Sequence, residues 1–166
     1  MIAIAAVDEN WAIGNKGNLL ISIPEDQRGV FRFYTAGNTV VYGRKTLQTF
    51  KGEKVLPKRK NIILSRNPEF TKEGALVLHS TEELDEYAKV HPEEEIFVIG
   101  GEEIYKTLIT ICDKCIITKI AREFEADAYF PNLDESDEWE LCKEEEPIES
   151  EVGVTFHVCH YKRLCK

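Results

Sequence analysis

One carboxylate in this chain keeps company that points to chemistry. In the stretch LLISIPEDQRGVF, Pro24, Glu25 and Asp26 interrupt apolar residues that run from Leu19 to Ile23 and resume at Val30 and Phe31. An acid walled in by such side chains has a raised pKa and binds hydrogen-bond donors strongly. The plainer account is a helix start, since acids behind a proline in a first turn suit the helix dipole. Both accounts can hold, because one acid can cap the helix while the other points inward.

Two glycine turns form a second candidate. VVYGRKT and FVIGGEEIY each end an apolar run in glycine, at Gly43 and at Gly100 and Gly101, and lead into helix-forming residues. Unpaired N–H groups at a helix start attract anions, and glycine lets a phosphate approach the backbone. Taken singly, each glycine is better explained as a strand-to-helix turn, and neither turn has the Walker lysine or a full G-x-G-x-x-G. The cations nearby shift the balance. Arg44 and Lys45 follow Gly43, and Ser65 and Arg66 close the next strand, where they can take a further phosphate such as the one that separates NADP from NAD.

The elements that must position these groups are legible as short aliphatic runs. Strands are expected at 2–7, 39–43, 61–65, 75–79, 96–100, 115–120 and 154–164, several of them apolar on both faces as covered central strands are. Helices are expected from Pro24, Arg44, Ser80 and Gly101, the third opening on an N-cap signature. The alternation implies an α/β sheet, mostly parallel. WELCKEEEPI and VTFHVCHYKRL break it and read as a C-terminal antiparallel hairpin at the edge, so the sheet is mixed. Residues 8–23 form a long stretch without clear periodicity, and such loops are more often functional than not.

Composition bounds the rest. A chain of 166 residues that is 43 % hydrophobic and 31 % charged suits one soluble domain over 1–166. The net charge of −9 argues against a nucleic-acid partner. No apolar run approaches the roughly 18 residues of a membrane span, and MIAIAAVDEN lacks signal-peptide features. A cytoplasmic place is expected, where the five scattered cysteines stay reduced. CDKC at Cys112 to Cys115 has no second pair, no nearby His pair, and runs into a strand, so core thiols are favoured over metal or redox work. His79, His91, His157 and His160 show no nucleophile or metal partner in the sequence, and no metal is expected.

Taken in order, IAAVDENWAIGNKGNL, IPED, VVYGRKT, LPKRKNIILSRN, FVIGGEEIY, IITKI and FEADAYFP resemble the dihydrofolate reductase family over nearly the whole chain. The resemblance implies an eight-stranded, mostly parallel sheet with flanking helices, and NADPH-dependent reduction of 7,8-dihydrofolate to tetrahydrofolate. It further implies antifolate inhibitors as competing ligands, and since nothing in the sequence demands an oligomer, a monomer is expected. On this alignment the pterin pocket comprises Ile4, Ala5, the loop at Leu19 and Leu20, Asp26, Phe31, Thr46, Phe50, Ile99 and Thr118. Asp26, Thr118 and Leu20 stand at the chemistry, Asp26 accepting from the pterin N3 and 2-amino group while a water protonates N5. Arg59 matches the arginine that grips the folate α-carboxylate. NADPH is expected along Ala6, Ile13, Gly14, Gly43, Arg44, Lys45, Thr46, Leu64, Ser65 and Arg66, and then Gly100, Gly101, Glu102, Ile104 and Tyr105.

The chain departs from the family pattern at defined places. Leu20 and Ile21 stand where a Pro-Trp pair is usual, and Trp11, on the same loop, reads as a packing aromatic. One residue too many lies between Asp26 and Gly43, and Gly29 falls inside the expected helix, so a late start or a bulge is expected and Val30 or Arg28 competes with Phe31 for the pocket. Tyr42 replaces a common methionine and reads as a packing change, and Asp127 is either a turn residue or a tether for the N-terminal loop. Two other functions fit less well. The same-fold reductase of riboflavin synthesis has no use for Arg59, and a folate-binding relative without turnover is favoured only by the missing tryptophan.

Overall fold

The computed structural model describes residues 1–165. Its strands are β1 (Ile2–Val7), β2 (Ala12–Asn15), β3 (Asn18–Leu19), β4 (Thr39–Gly43), β5 (Lys60–Leu64) and β6 (Ala75–Leu78). They continue with β7 (Ile96–Gly100), β8 (Lys114–Ile120), β9 (Ala128–Tyr129), β10 (Trp139–Glu144), β11 (Ile148–Glu149) and β12 (Thr155–Arg163). The α-helices are α1 (Pro24–Asp26), α2 (Arg32–Thr35), α3 (Arg44–Leu47), α4 (Thr81–Val90) and α5 (Glu102–Leu108).

The main sheet runs β10-β12-β8-β1-β7-β4-β5-β6, with β11 pairing only to β12. From β8 to β6 every neighbouring pair is parallel. β12 then joins β8 antiparallel, and β10 joins β12 with a bulge between Leu141 and Lys143. This is the mixed sheet expected from the sequence, extended by the two-residue β11. All five residues of β4 are buried, as a strand covered on both faces requires. On one face Leu84, Tyr105 and Leu108 from α4 and α5 pack against Val41, Ile62, Val98 and Ile117. On the other, Val30 and Leu47 pack against Ile4, Val40, Ile63 and Phe97.

Two segments differ from simple expectation. Residues 8–23 are not structureless, because β2 pairs with both β3 and β9 in a small antiparallel sheet. Two-residue strands such as β3 and β9 are too short to show a period. The helix after Pro24 does carry a bulge. Between α1 and α2, Gln27–Phe31 form a π-helical turn, closed by the Arg32 N–H donating to the Gln27 carbonyl. A π turn accommodates one extra residue without breaking the helix, which accounts for the surplus position and leaves Gly29 exposed on the outside.

α4 begins as its sequence promises. The Glu83 N–H donates to the Ser80 hydroxyl at 3.2 Å, and Glu83 reaches back to accept from the His79 N–H at 2.7 Å. The first bond satisfies an N–H that the helix start leaves open, and the second ties down the residue before the cap.

Candidate active site

Parallel strands deliver their last residues to one edge of the sheet, and the candidate residues meet there. Asp26 ends α1 and turns inward, where the Thr118 hydroxyl of β8 donates to its Oδ1 at 2.5 Å. Burial pushes the Asp26 carboxyl above its ordinary range, and the Thr118 hydrogen bond opposes that only in part. Glu25 does the opposite. It accepts from the Glu151 N–H at 2.8 Å and the Ser150 hydroxyl at 2.7 Å, bonds that hold its pKa below the ordinary value. Two adjacent acids are thus driven apart, one to brace the turn before β12 and one to face the interior. The Ser150 contact, 125 residues away in sequence, carried no signal in the chain.

The π turn places the three pocket candidates in different surroundings. Val30 is buried in the core beside Ile4 and Ile116, and Arg28 is exposed at a concavity with Glu25 and Glu151. Phe31 lies half-buried with the Arg59 guanidinium 5.5 Å from its ring centre. Phe31, Phe50 and Ile99 pack against the cluster holding Ile4, and together they form an apolar wall. Ala5 and Thr46 are half-buried, as is Leu20, whereas Leu19 is 68 % exposed. Ile21 is half-buried. It packs, with Ala6 and Phe124, against Ile23, Ile120 and Phe156.

Arg59 stands beyond Phe31. Its Nε donates to the Thr35 hydroxyl at 3.0 Å and its Nη1 to the Pro57 carbonyl at 2.9 Å, which fixes the fork and leaves Nη2 without a protein partner among the described residues. The turn that carries it is locked from below. Asn61 donates to the Leu56 and Arg59 carbonyls and accepts from the Leu56 N–H, while the buried Tyr42 hydroxyl donates to Asn61 Oδ1 at 2.8 Å. Burial pushes the Tyr42 phenol up to about 12, so it stays a donor. The tyrosine is therefore more than a packing change. Tyr42→Phe is expected to lower unfolding free energy by about 1 kcal/mol in a urea titration, because Asn61 loses one donor and keeps another.

The two glycine turns lie side by side, since β4 and β7 are neighbours and Tyr42 pairs with Gly100. A Cβ on Gly43 would stand 3.0 Å from Ile104 Cγ1, and one on Gly101 would stand 3.5 Å from the Thr46 hydroxyl. The Gly100–Gly101 peptide is cis, and Gly100 has φ of +127°. Tyr105 forms the floor. It is buried, and its hydroxyl donates to the Ile4 carbonyl at 2.7 Å, so it supports the turn instead of offering a polar group.

Next to Gly43, Leu64 ends β5, and Ser65 and Arg66 follow it. Arg44 lies over the Phe70 ring at 4.8 Å, and Arg66 faces Glu103 at 3.7 Å with both side chains exposed. Lys45 is exposed beside them, and His79 Nδ1 contacts the Ser65 carbonyl at 2.8 Å. Glu102 pairs with Lys106 at 3.0 Å. Ile13 and Gly14 lie on β2, where the glycine has a local cause, because a Cβ would meet the Asn18 carbonyl at 2.9 Å.

The loop is pinned at two acids. Buried Asp8 accepts from the Asn10, Ala12 and Phe124 N–H groups, an anchor that sequence reasoning missed. Asp127 accepts from the Lys16 N–H at 3.0 Å, and its own N–H donates to the Gly14 carbonyl, which makes it a tether between the two loops. Trp11 is buried, stacked on Phe130 and capped by Lys119 at 5.1 Å, as a packing aromatic is.

A sequence model of the dihydrofolate reductase family matches residues 1–163. The chain belongs to the dihydrofolate reductase family. It is similar to the dihydrofolate reductase of Bacillus subtilis (strain 168), at 35% identity over 148 residues, 89% of this chain and 84% of that one. The dihydrofolate reductase of Staphylococcus haemolyticus is 33% identical over 162 residues, 97% of this chain and 94% of that protein. In three dimensions the chain is similar to the Enterococcus faecalis dihydrofolate reductase complexed with NADP(H) and RAB-propyl, with a TM-score of 0.87 and 36% identity over 99% of this chain and 96% of that one. Membership of the dihydrofolate reductase family makes the chain an oxidoreductase. No described helix is long and apolar enough to cross a membrane.

Proposed function

We propose that this chain reduces 7,8-dihydrofolate to tetrahydrofolate with NADPH. The observation that carries the proposal is the inward, half-buried Asp26 bonded to Thr118, at the same sheet edge as the paired glycine turns. Support for the cofactor comes from the two glycine turns held side by side on β4 and β7, with Thr46 close to Gly101, and from the exposed Arg44, Lys45 and Arg66. The family relative solved with NADP(H) agrees with that reading.

NADPH, when bound, supplies hydride to C6 of the pterin. The remaining work falls to the chain. Gly43, Gly101 and Thr46 would hold the pyrophosphate, with Ser65 and Arg66 at the additional phosphate. Asp26 accepts from the pterin N3 and 2-amino group, and Thr118 fixes the carboxylate's orientation. An acid at N3 is too distant to protonate N5 directly, so Asp26 polarises the ring while water delivers the proton. Phe31, Phe50, Ile4 and Ile99 keep the ring in apolar surroundings, where that polarisation is strongest. Arg59 takes the α-carboxylate of the glutamate tail.

Gly43→Ala is expected to cost about 1–2 kcal/mol of cofactor affinity, roughly a tenfold rise in KM for NADPH, because Ile104 must move. The test of the function is product formation. Incubation with NADPH and dihydrofolate should yield one tetrahydrofolate per NADPH consumed. Turnover of a ribosylaminopyrimidine phosphate, with none of dihydrofolate, would move the chain to the riboflavin-pathway reductase.

A further inference from the structure

Away from that edge, β10 and β12 set three chemically different donors on one face. Glu144 lies directly across from Cys159 in the antiparallel register, and His157, two residues before Cys159, shares its side of the pleat. Glu144 Oε1 stands 3.5 Å from His157 Nε2 and 3.9 Å from Cys159 Sγ. One donor atom from each residue lies within 4.8 Å of the other two. Donors bound to tetrahedral zinc at roughly 2.0–2.3 Å stand about 3.3–3.8 Å apart, so small side-chain adjustments close the set.

We infer that Glu144, His157 and Cys159 form a binding site for a divalent borderline transition metal, with Zn²⁺ the best match and water in the fourth position. The donor set is that of such an ion, combining a thiolate with an imidazole and a carboxylate. Burial holds the free Cys159 thiol up at about 11, so metal binding releases its proton to solvent, and the resulting thiolate together with the carboxylate carries two negative charges, which balance a divalent cation. The cation nearest in register, Lys119 on β8, is occupied by Asp134 at 2.7 Å. Access is open from solvent, because Glu144 is exposed and His157 half-buried, with the buried sulfur as the floor. The opposite face of β12 supplies a contrast. There His160 Nε2 stands 2.9 Å from Glu145 Oε1, a two-residue contact on the opposite side of the pleat from Cys159.

Sequence reading assigned the histidines no metal partner, and the hairpin explains why. The 13 positions from Glu144 to His157 hide a pairing that only the register creates.

The test uses the full chain with Cys142→Ser and Cys165→Ser, which removes the two exposed thiols. Titration with Co²⁺ should give a saturable 1:1 thiolate-to-metal charge-transfer band that Zn²⁺ displaces. Glu144→Gln, at an exposed edge position, should weaken binding at least tenfold without affecting folding, and Cys159→Ser should abolish the band. Saturating Zn²⁺ should raise the thermal midpoint by about 5 °C, and by less in Glu144→Gln. The site is refuted if no saturable band forms, if Glu144→Gln binds as the parent does, or if the band survives Cys159→Ser.

Discussion

Asp26→Asn is expected to lower kcat/KM for dihydrofolate by about 10²-fold or more at neutral pH, with the KM for NADPH little changed. Asparagine keeps the shape and the contact with Thr118, yet it loses the charge that polarises the pterin. The loss should shrink as the pH falls, because solvent then protonates the substrate without help. Rates measured across a pH series for both proteins decide the point. A constant ratio at every pH would mean that Asp26 only shapes the pocket.

The same substitution should act oppositely on the free protein. Burial raises the Asp26 pKa above its unfolded value, so between the two values the folded chain binds a proton that the unfolded chain has released. Stability therefore declines as pH rises through that interval. Asparagine removes the decline, and the ligand-free variant should melt higher than the native chain at neutral pH. A site that gains stability when its acid is removed is a site kept for function.

Arg59→Ala should raise the KM for dihydrofolate by about 10–100-fold, the worth of hydrogen bonds to a charged group, while kcat changes little. Its guanidinium is already aimed by Thr35 and Pro57 and backed by the Phe31 ring. Burial and the neighbouring Arg32 lower its pKa, without bringing a guanidinium near neutrality. Arg59→Lys keeps the charge without the fork and should recover only part of the loss. A pterin substrate without the glutamate tail supplies the control, since native and variant enzymes should then behave alike. An equal loss on the truncated substrate would show that Arg59 holds the pocket's shape and not the tail.

Much of this arrangement is readable in the chain because its causes are local. β-branched runs such as those of β4 and β7 announce buried strands, Ser80 with Glu83 announces a cap, and glycines at strand ends announce turns. Asp26 was legible because an acid among apolar residues is costly unless it is used. What stayed hidden depends on contacts distant in sequence. Glu25 finds Ser150 and Glu151 across the fold, Asp8 finds Phe124, and Tyr42 finds Asn61 through sheet register. The surplus residue after Asp26 was countable, but its resolution as a π turn depended on packing that places Val30 inward and Phe31 under Arg59. The small sheet of β2, β3 and β9 was illegible for a simpler reason, since strands this short show no alternation.

The central claim is that hydride transfer survives the replacement of the loop tryptophan by Ile21, which here is half-buried and packs against the cluster of Ile23, Ile120 and Phe156. Its most direct test is a single turnover with NADPH carrying deuterium at C4 of the nicotinamide, followed by mass and magnetic-resonance analysis of the pterin. The account predicts tetrahydrofolate with the deuterium at C6. Saturable binding of both ligands with no label transferred would contradict it, and would make this member of the family a folate-binding protein without turnover.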